Sequence, residues 1–257
     1  MPGHDLSGRT AVVTGGVRGV GLGISRALLG AGAEVIAVAR REPPALPEAG
    51  GRTARFASLD VRDAAAVQRF ADGLDRADIL VNNAGGTPFL RLADGDARTH
   101  TKIVELNLIG PLIMSRALYP RLRERPGGGS VIMIGSVSGI RPSPGSAAYG
   151  AAKAGLQSLA TSLAVEWAPH VRVNTLTLGM VRTEQAHLHY GDEEGIAAVG
   201  ATVPLGRLAD PSEVGTACVF LASDAAAYIT GANLVMHGGG ERPAFLDAAT
   251  VNKEDPQ

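Results

Sequence analysis

Thr10-Ala11-Val12-Val13-Thr14-Gly15-Gly16-Val17-Arg18-Gly19-Val20-Gly21-Leu22-Gly23-Ile24-Ser25-Arg26-Ala27-Leu28-Leu29 decides the fold. Its first five residues are apolar or β-branched, as a buried strand requires, and Ile24, Ala27 and Leu28 recur at helical spacing. Glycines at 15, 16, 19 and 21 separate the two patterns. They let a backbone turn tightly and approach a diphosphate, while the helix N-terminus supplies free N–H groups and a positive dipole end. The spacing is Gly-x3-Gly-x-Gly, not the commoner Gly-x-Gly-x2-Gly. Gly15, Val17, Arg18, Gly19, Val20 and Gly21 are thus candidate coenzyme contacts. The competing reading is a turn whose glycines serve packing alone.

The same alternation continues towards the C-terminus. Strand-like runs occur at Thr10–Thr14, Glu34–Ala39, Arg55–Leu59, Ile79–Asn82, Ser130–Ile134, Val171–Leu176 and Asn233–Met236. Helical patterns fall near 19–30, 63–75, 96–124, 147–168 and 210–222, the last opening on Asp210-Pro211, an N-cap followed by proline. Strands alternating with helices predict βαβ units: one α/β domain over 1–257, a doubly wound parallel sheet of about seven strands with helices on both faces. Between the second and third strands, Pro43, Pro44, Pro47, Gly50 and Gly51 leave room for a loop or a single turn only. Residues 182–206, glycine-punctuated and of mixed polarity, read as a substrate loop, and the tail 241–257 as a frayed end.

Composition excludes several classes. With 45% hydrophobic and 19% charged residues and a net charge of −1, the 257-residue chain can bury a large core and offers no basic surface for nucleic acid. No segment approaches the ~18 apolar residues of a membrane span, and Met1 to Thr10 lack an apolar leader core. The single cysteine, Cys218, lies in an apolar helical run and forms no intrachain disulfide, so the expectation is a cytoplasmic protein in a reducing compartment.

The second strand ends Val38-Ala39-Arg40-Arg41 without an acid. An acidic side chain there accepts from a ribose 2′-OH, whereas a basic one favours a 2′-phosphate; Arg40 and Arg41, with Arg18, point to NADP(H), the alternative being NAD(H) and a merely solvated strand end. The fifth strand runs into Gly135-Ser136, which puts Ser136 at a carboxyl end, where open α/β sheets bind ligands. Thirteen residues on, Tyr149-Gly150-Ala151-Ala152-Lys153 opens a helix. Tyrosine and lysine at i and i+4 share a face, so an ammonium can stabilise a phenolate whose unperturbed pKa of ~10 makes it a poor base at neutrality. Such a tyrosine can give a proton to a carbonyl oxygen and take it back from an alcohol, with Ser136 holding that oxygen. Each feature alone has an ordinary reading, a helix-surface pair or a turn serine.

Together, Thr14-Gly-x3-Gly-x-Gly21, Asn82-Asn83-Ala84-Gly85, Ser136 and Tyr149-x3-Lys153 resemble the short-chain dehydrogenase/reductase family over residues 10 to 240. The resemblance implies a Rossmann-type fold, hydride exchange with a small carbonyl or secondary alcohol, and activity like that of a 3-oxoacyl-thioester reductase or a hydroxysteroid or secondary-alcohol dehydrogenase. It implies a tetrad of Asn107, Ser136, Tyr149 and Lys153, with Asn107 fixing a water behind Lys153. It puts Asp60 and Val61 at the adenine, Asn83, Ala84 and Gly85 along the adenosine ribose, and Val181 and Thr183 at the nicotinamide. For Asn107 the alternative is a backbone-bonded amide, and for Asp60 a helix cap.

Two positions depart from the family: Leu178-Gly179 stands for the usual Pro-Gly, and His237 for the usual Asp before Gly-Gly. Specificity is expected in 86–92, 139–145 and 182–206. His187-x-His189 has no third ligand at helical spacing, so no metal is expected. A homotetramer is expected from the resemblance and from Leu156, Leu159, Leu163 and Trp167, read as more apolar surface than one sheet face needs. A coenzyme-binding sensor without catalysis is the rival reading, although it would be expected to lose Ser136, Tyr149 or Lys153.

Overall fold

The computed structural model describes residues 4–125, 127–241 and 243–250. The opening stretch forms β1 (Thr10–Thr14) and α1 (Gly19–Gly30). β2 (Glu34–Ala39) follows, and then Gly50 and Gly51, both at positive φ, turn a short hairpin, β3 (Glu48–Ala49) against β4 (Arg52–Thr53). The prolines do exclude a helix there, but paired strands replace the expected loop.

The chain continues with β5 (Arg55–Ser58), α2 (Ala64–Asp72), β6 (Ile79–Asn82), α3 (Ala97–Val104), α4 (Gly110–Arg123), β7 (Gly129–Ser136), α5 (Ala147–Glu166) and β8 (Val171–Leu178). Short α6 (His187–Tyr190), α7 (Glu193–Ala201), α8 (Pro211–Ala222), β9 (Asn233–Met236) and α9 (Ala244–Ala248) complete it. About half of the segment 182–206, expected as a loop, is therefore helical. Of the expected frayed tail, α9 is described, and Asn252 to Gln257 lie outside the described residues.

Seven strands form one parallel sheet in the order β5-β2-β1-β6-β7-β8-β9, a Rossmann-type single domain. Alternate strand residues feed two cores. Ala11, Val13, Ile132 and Ile134 pack under Ile24, Leu28, Val214 and Cys218 of α1 and α8. Val12, Val131 and Met133 pack under α2, α4 and α5 through Val67, Met114, Leu118 and Leu156. That period-two division is what a sheet covered on both faces demands. Leu159, Leu163 and Trp167 pack, partly buried, against this second core, so the chain itself covers part of the apolar surface taken as surplus on α5; Val165 is its large exposed apolar side chain, 79% accessible.

From β1 the chain winds out to β5 and then returns to β6 on the other side of β1. This reversal opens a crevice beyond the carboxyl ends of β1 and β6, where doubly wound sheets bind ligands.

Candidate active site

The glycine turn after β1 lies at that crevice. Gly15 and Gly19 have φ of 65° and 52°, a region side chains avoid, and a Cβ on Gly21 would run into the Gly15 carbonyl oxygen. The turn is closed so tightly that only glycine fits at 21. Thr14 ties it to β6: its hydroxyl accepts from the Asn83 and Ala84 amides, both at 2.9 Å. The Asn83 side-chain amide donates to the Thr14 carbonyl oxygen at 2.9 Å, so this residue, expected along a ribose, braces the turn. Ala84 and Gly85 continue into the crevice, Gly85 exposed. Val17 and Val20 pack partly against the first core.

α1 begins without a side-chain cap from Arg18 and without an acid in its first turn. Unsatisfied N–H groups at a helix start favour an anion, and these residues fit a dinucleotide's diphosphate. Arg18, Arg40 and Arg41 are all exposed, and Arg40 is near enough to Asp60 to favour its ionised form. Asp60 does not cap α2; Asp63 does, accepting from the Ala66 amide. Asp60 instead pairs with Arg62 at 2.7 Å, and the hydrogen bond from that guanidinium holds its pKa at about 2. Val61 is buried under the second core.

Expected as one long helix, 96–124 is broken at Glu105–Ile109 by a π-helical segment, a form often found at functional sites. Asn107 sits there, fully buried: its carbonyl oxygen accepts from the Gly86 amide at 3.0 Å, and its NH2 donates to the Gly86 and Ile103 carbonyl oxygens. The side chain is thus backbone-bonded and positions the loop after Gly85, where a Cβ would lie 2.6 Å from its oxygen.

Ser136 ends β7, its hydroxyl accepting from the Ser138 amide at 3.2 Å. The turn Val137–Gly139 packs directly on the start of α5, because a Cβ on Gly139 would lie 2.8 Å from the Ala154 nitrogen and one on Gly150 2.6 Å from the Ser138 oxygen. That close approach brings Ser136 near Tyr149, close enough for its hydroxyl to favour the phenolate. Lys153, 4% exposed, donates to the Ile134 carbonyl oxygen at 2.8 Å, with its Nζ 5.5 Å from the Tyr149 ring centre.

Burial raises the Tyr149 pKa above its ordinary value, the neighbouring Ser136 hydroxyl opposes this, and nearby Tyr190 adds to the rise. Burial alone lowers the Lys153 pKa to about 8. The site thus holds a protonated phenol beside an ammonium, an arrangement able to donate a proton to an oxygen held by Ser136.

Leu178 extends β8 to the end of its pairing with β7, and Gly179 donates to the Met236 carbonyl oxygen. Against Gly179 lies His237, where a Cβ would meet its Cα at 2.9 Å. Val181 then bridges Ala209, and Thr183 reaches Gly19. His187 and His189 lie on exposed α6, and no group of three metal-ligating side chains exists among the described residues.

Sequence reading missed three features. Glu184 accepts from the Gly19 amide at 3.0 Å, Arg141 pairs with Glu241, and Ser138, Ser143 and Ser146 join hydroxyls beside Tyr149. Each links segments or atoms that no short motif relates.

A family model described as enoyl-(acyl carrier protein) reductase matches residues 15–241. The chain is 37% identical to the oxidoreductase UcpA of Salmonella typhimurium, over 93% of this chain and 96% of that protein. It is also 37% identical to the 3-oxoacyl-(acyl-carrier-protein) reductase FabG of Vibrio harveyi, over 91% of this chain and 98% of that one. The structure of the Pseudomonas aeruginosa RhlG/NADP active-site complex superposes with a TM-score of 0.83 at 32% identity, covering 93% and 98% of the two chains.

Proposed function

We propose, the chain belonging to the short-chain dehydrogenase/reductase family of oxidoreductases whose members bind NAD(P)(H) and act on small molecules, that it reduces a ketone with NADPH or runs the reverse oxidation. The observation that carries this reading is the Ser136–Tyr149–Lys153 cluster, with half-buried Ser136 and Tyr149 beside buried Lys153. When bound, the coenzyme supplies or accepts the hydride. Ser136 holds the substrate oxygen and Tyr149 gives it the phenolic proton, taking the proton back in the oxidative direction. The Lys153 ammonium favours the phenolate left behind. Asn107 keeps the Gly86 backbone beside this cluster and would fix a water behind Lys153.

Gly15, Val17, Gly19, Val20 and Gly21 would cradle the diphosphate, Asp60 and Val61 the adenine, Asn83, Ala84 and Gly85 the adenosine ribose, and Val181 and Thr183 the nicotinamide end. Tyr149 and Lys153 would meet the nicotinamide ribose. A preference for NADP(H) over NAD(H) is supported by Arg18, Arg40 and Arg41 and by the absence of an acid at the end of β2. The substrate segments 86–92, 139–145 and 182–206 expose Phe89, Ile140 and Leu188, which supports a substrate with an apolar body. The 3-oxoacyl chemistry named for the Vibrio relative fits that description.

Exposed Ile109, Leu112 and Val165, and Leu234 and Val235 on edge strand β9, support assembly into a homotetramer. A cytoplasmic location is proposed on the lone, buried Cys218; no helix among the described residues is long and apolar enough to cross a membrane. The reading is tested by a turnover panel of ketones and secondary alcohols with both coenzymes. Coenzyme binding without turnover of any member would overturn it in favour of a sensor.

A further inference from the structure

Glu184 stands where the proposed coenzyme must bring its charge. Its carboxylate accepts a 3.0 Å hydrogen bond from the amide of Gly19, the first residue of α1, although 165 positions separate the two. The helix has no other acid in its first turn and no side-chain cap, so this contact supplies the negative group that the helix start attracts. Glu184 belongs to the segment that leads into α6 and α7, and its neighbour Thr183 packs on Gly19 from the same side.

We infer that Glu184 is a stand-in for a coenzyme phosphate and works as a latch: it holds the substrate segment against α1 in the free protein and is expelled when a dinucleotide binds. The inference rests on the coenzyme reading above. One amide hydrogen makes one good hydrogen bond, and a diphosphate beside a carboxylate adds like-charge repulsion, so the two occupants exclude each other. An exposed carboxylate-to-amide bond is weak enough to be displaced. The expelled side chain has a destination. A groove of about 570 Å³ between α1, α8 and this segment is lined by Glu184 itself together with two cations, Arg26 and Arg182, and one acid, Asp210, which caps α8; Arg182 already holds α7 through Glu193 at 2.7 Å. Movement of Glu184 into that groove joins coenzyme occupancy to the position of α7, so the segment covering the substrate is released only after the coenzyme is seated.

The experiment compares the full chain with Glu184→Gln and Glu184→Ala, measuring NADPH and NADH dissociation constants by fluorescence titration and amide hydrogen exchange at Gly19 and across 187–201, free and with coenzyme. Removing the competitor should tighten binding of both coenzymes about three- to tenfold, the range for losing one modest hydrogen bond. Exchange at Gly19 should quicken in the free variants and match the wild type once coenzyme is present. Unchanged or weaker coenzyme binding by both variants, with the wild type binding normally, overturns the latch and leaves the coenzyme reading standing. Failure of wild type and variants alike to bind either coenzyme overturns the coenzyme reading and the latch with it.

Discussion

Replacing Lys153 with methionine should make the protein more stable while destroying its activity. The ammonium is 4% exposed, and burial drags its pKa from 10.5 to about 8. At about 1.4 kcal/mol per unit, that shift means the folded state at pH 7 bears a cost on the order of 3 kcal/mol for keeping the charge out of water. Methionine has similar length, no charge and a flexible chain that fills irregular space. It forfeits the hydrogen bond to the Ile134 carbonyl oxygen, about 1 kcal/mol, so a gain of roughly 1–3 kcal/mol remains. At about 2–4 °C per kcal/mol for a chain of this size, the melting temperature should rise by roughly 2–12 °C. The pH dependence has a fixed sign. Lys153 binds its proton less tightly folded than unfolded, so the cost is fully present below about pH 8 and vanishes as pH rises towards 10.5. The advantage of Lys153→Met should therefore be constant from pH 6 to 7.5 and shrink above 8. Calorimetric melting of both proteins without coenzyme, at intervals from pH 6 to 10, reads this directly. A variant less stable than the wild type at pH 7, or an advantage that does not fall above pH 8, would refute the reasoning.

Tyr149→Phe removes the transferable proton and little contact area, so kcat should fall by roughly 10²–10⁴-fold with the coenzyme dissociation constant nearly unchanged; retention of most of kcat would sink the acid/base assignment. The unmodified protein should favour NADPH over NADH by about tenfold, the lower end of what two charge-assisted contacts can provide, because Arg18 and Arg40 are exposed and screened. Ala39→Asp should reverse that order by restoring a ribose acceptor, and kcat/KM values for the two coenzymes that do not change rank would contradict it. Light scattering at micromolar concentration should return the mass of four chains, and the mass of one would end the tetramer proposal.

The parts of this molecule that sequence makes legible are those governed by neighbours in the chain. β1, the glycine turn and α1 are a strand period, a run of small residues and a helix period in immediate succession, and they lie where expected. Tyr149 and Lys153 are four apart on one helix, and their pairing follows from helical geometry alone. Four strands keep the bounds read from sequence, while the ends of β5, β7 and β8 moved by one or two residues, since hydrogen bonding with a neighbouring strand, as in Ser136 opposite Leu178, decides where a strand stops. The apolar stripe of α5 is ambiguous for a related reason: an amphipathic pattern says that a face is covered, but only tertiary packing says how much of the cover is the chain's own sheet.

What stayed hidden concerns backbone approach. Gly139 and Gly150 look in sequence like breakers, yet they are the two points at which the turn after β7 and the start of α5 come within van der Waals contact, and Ser136 reaches Tyr149 through that contact. Gly85 does the same between Asn107 and Lys153, a Cβ there lying 2.6 Å from one and 3.4 Å from the other. The residues proposed to handle the proton are thus held by missing side chains as much as by present ones. A methyl group at any of the three would push Ser136, Asn107 or Lys153 out of reach without altering a residue that touches substrate.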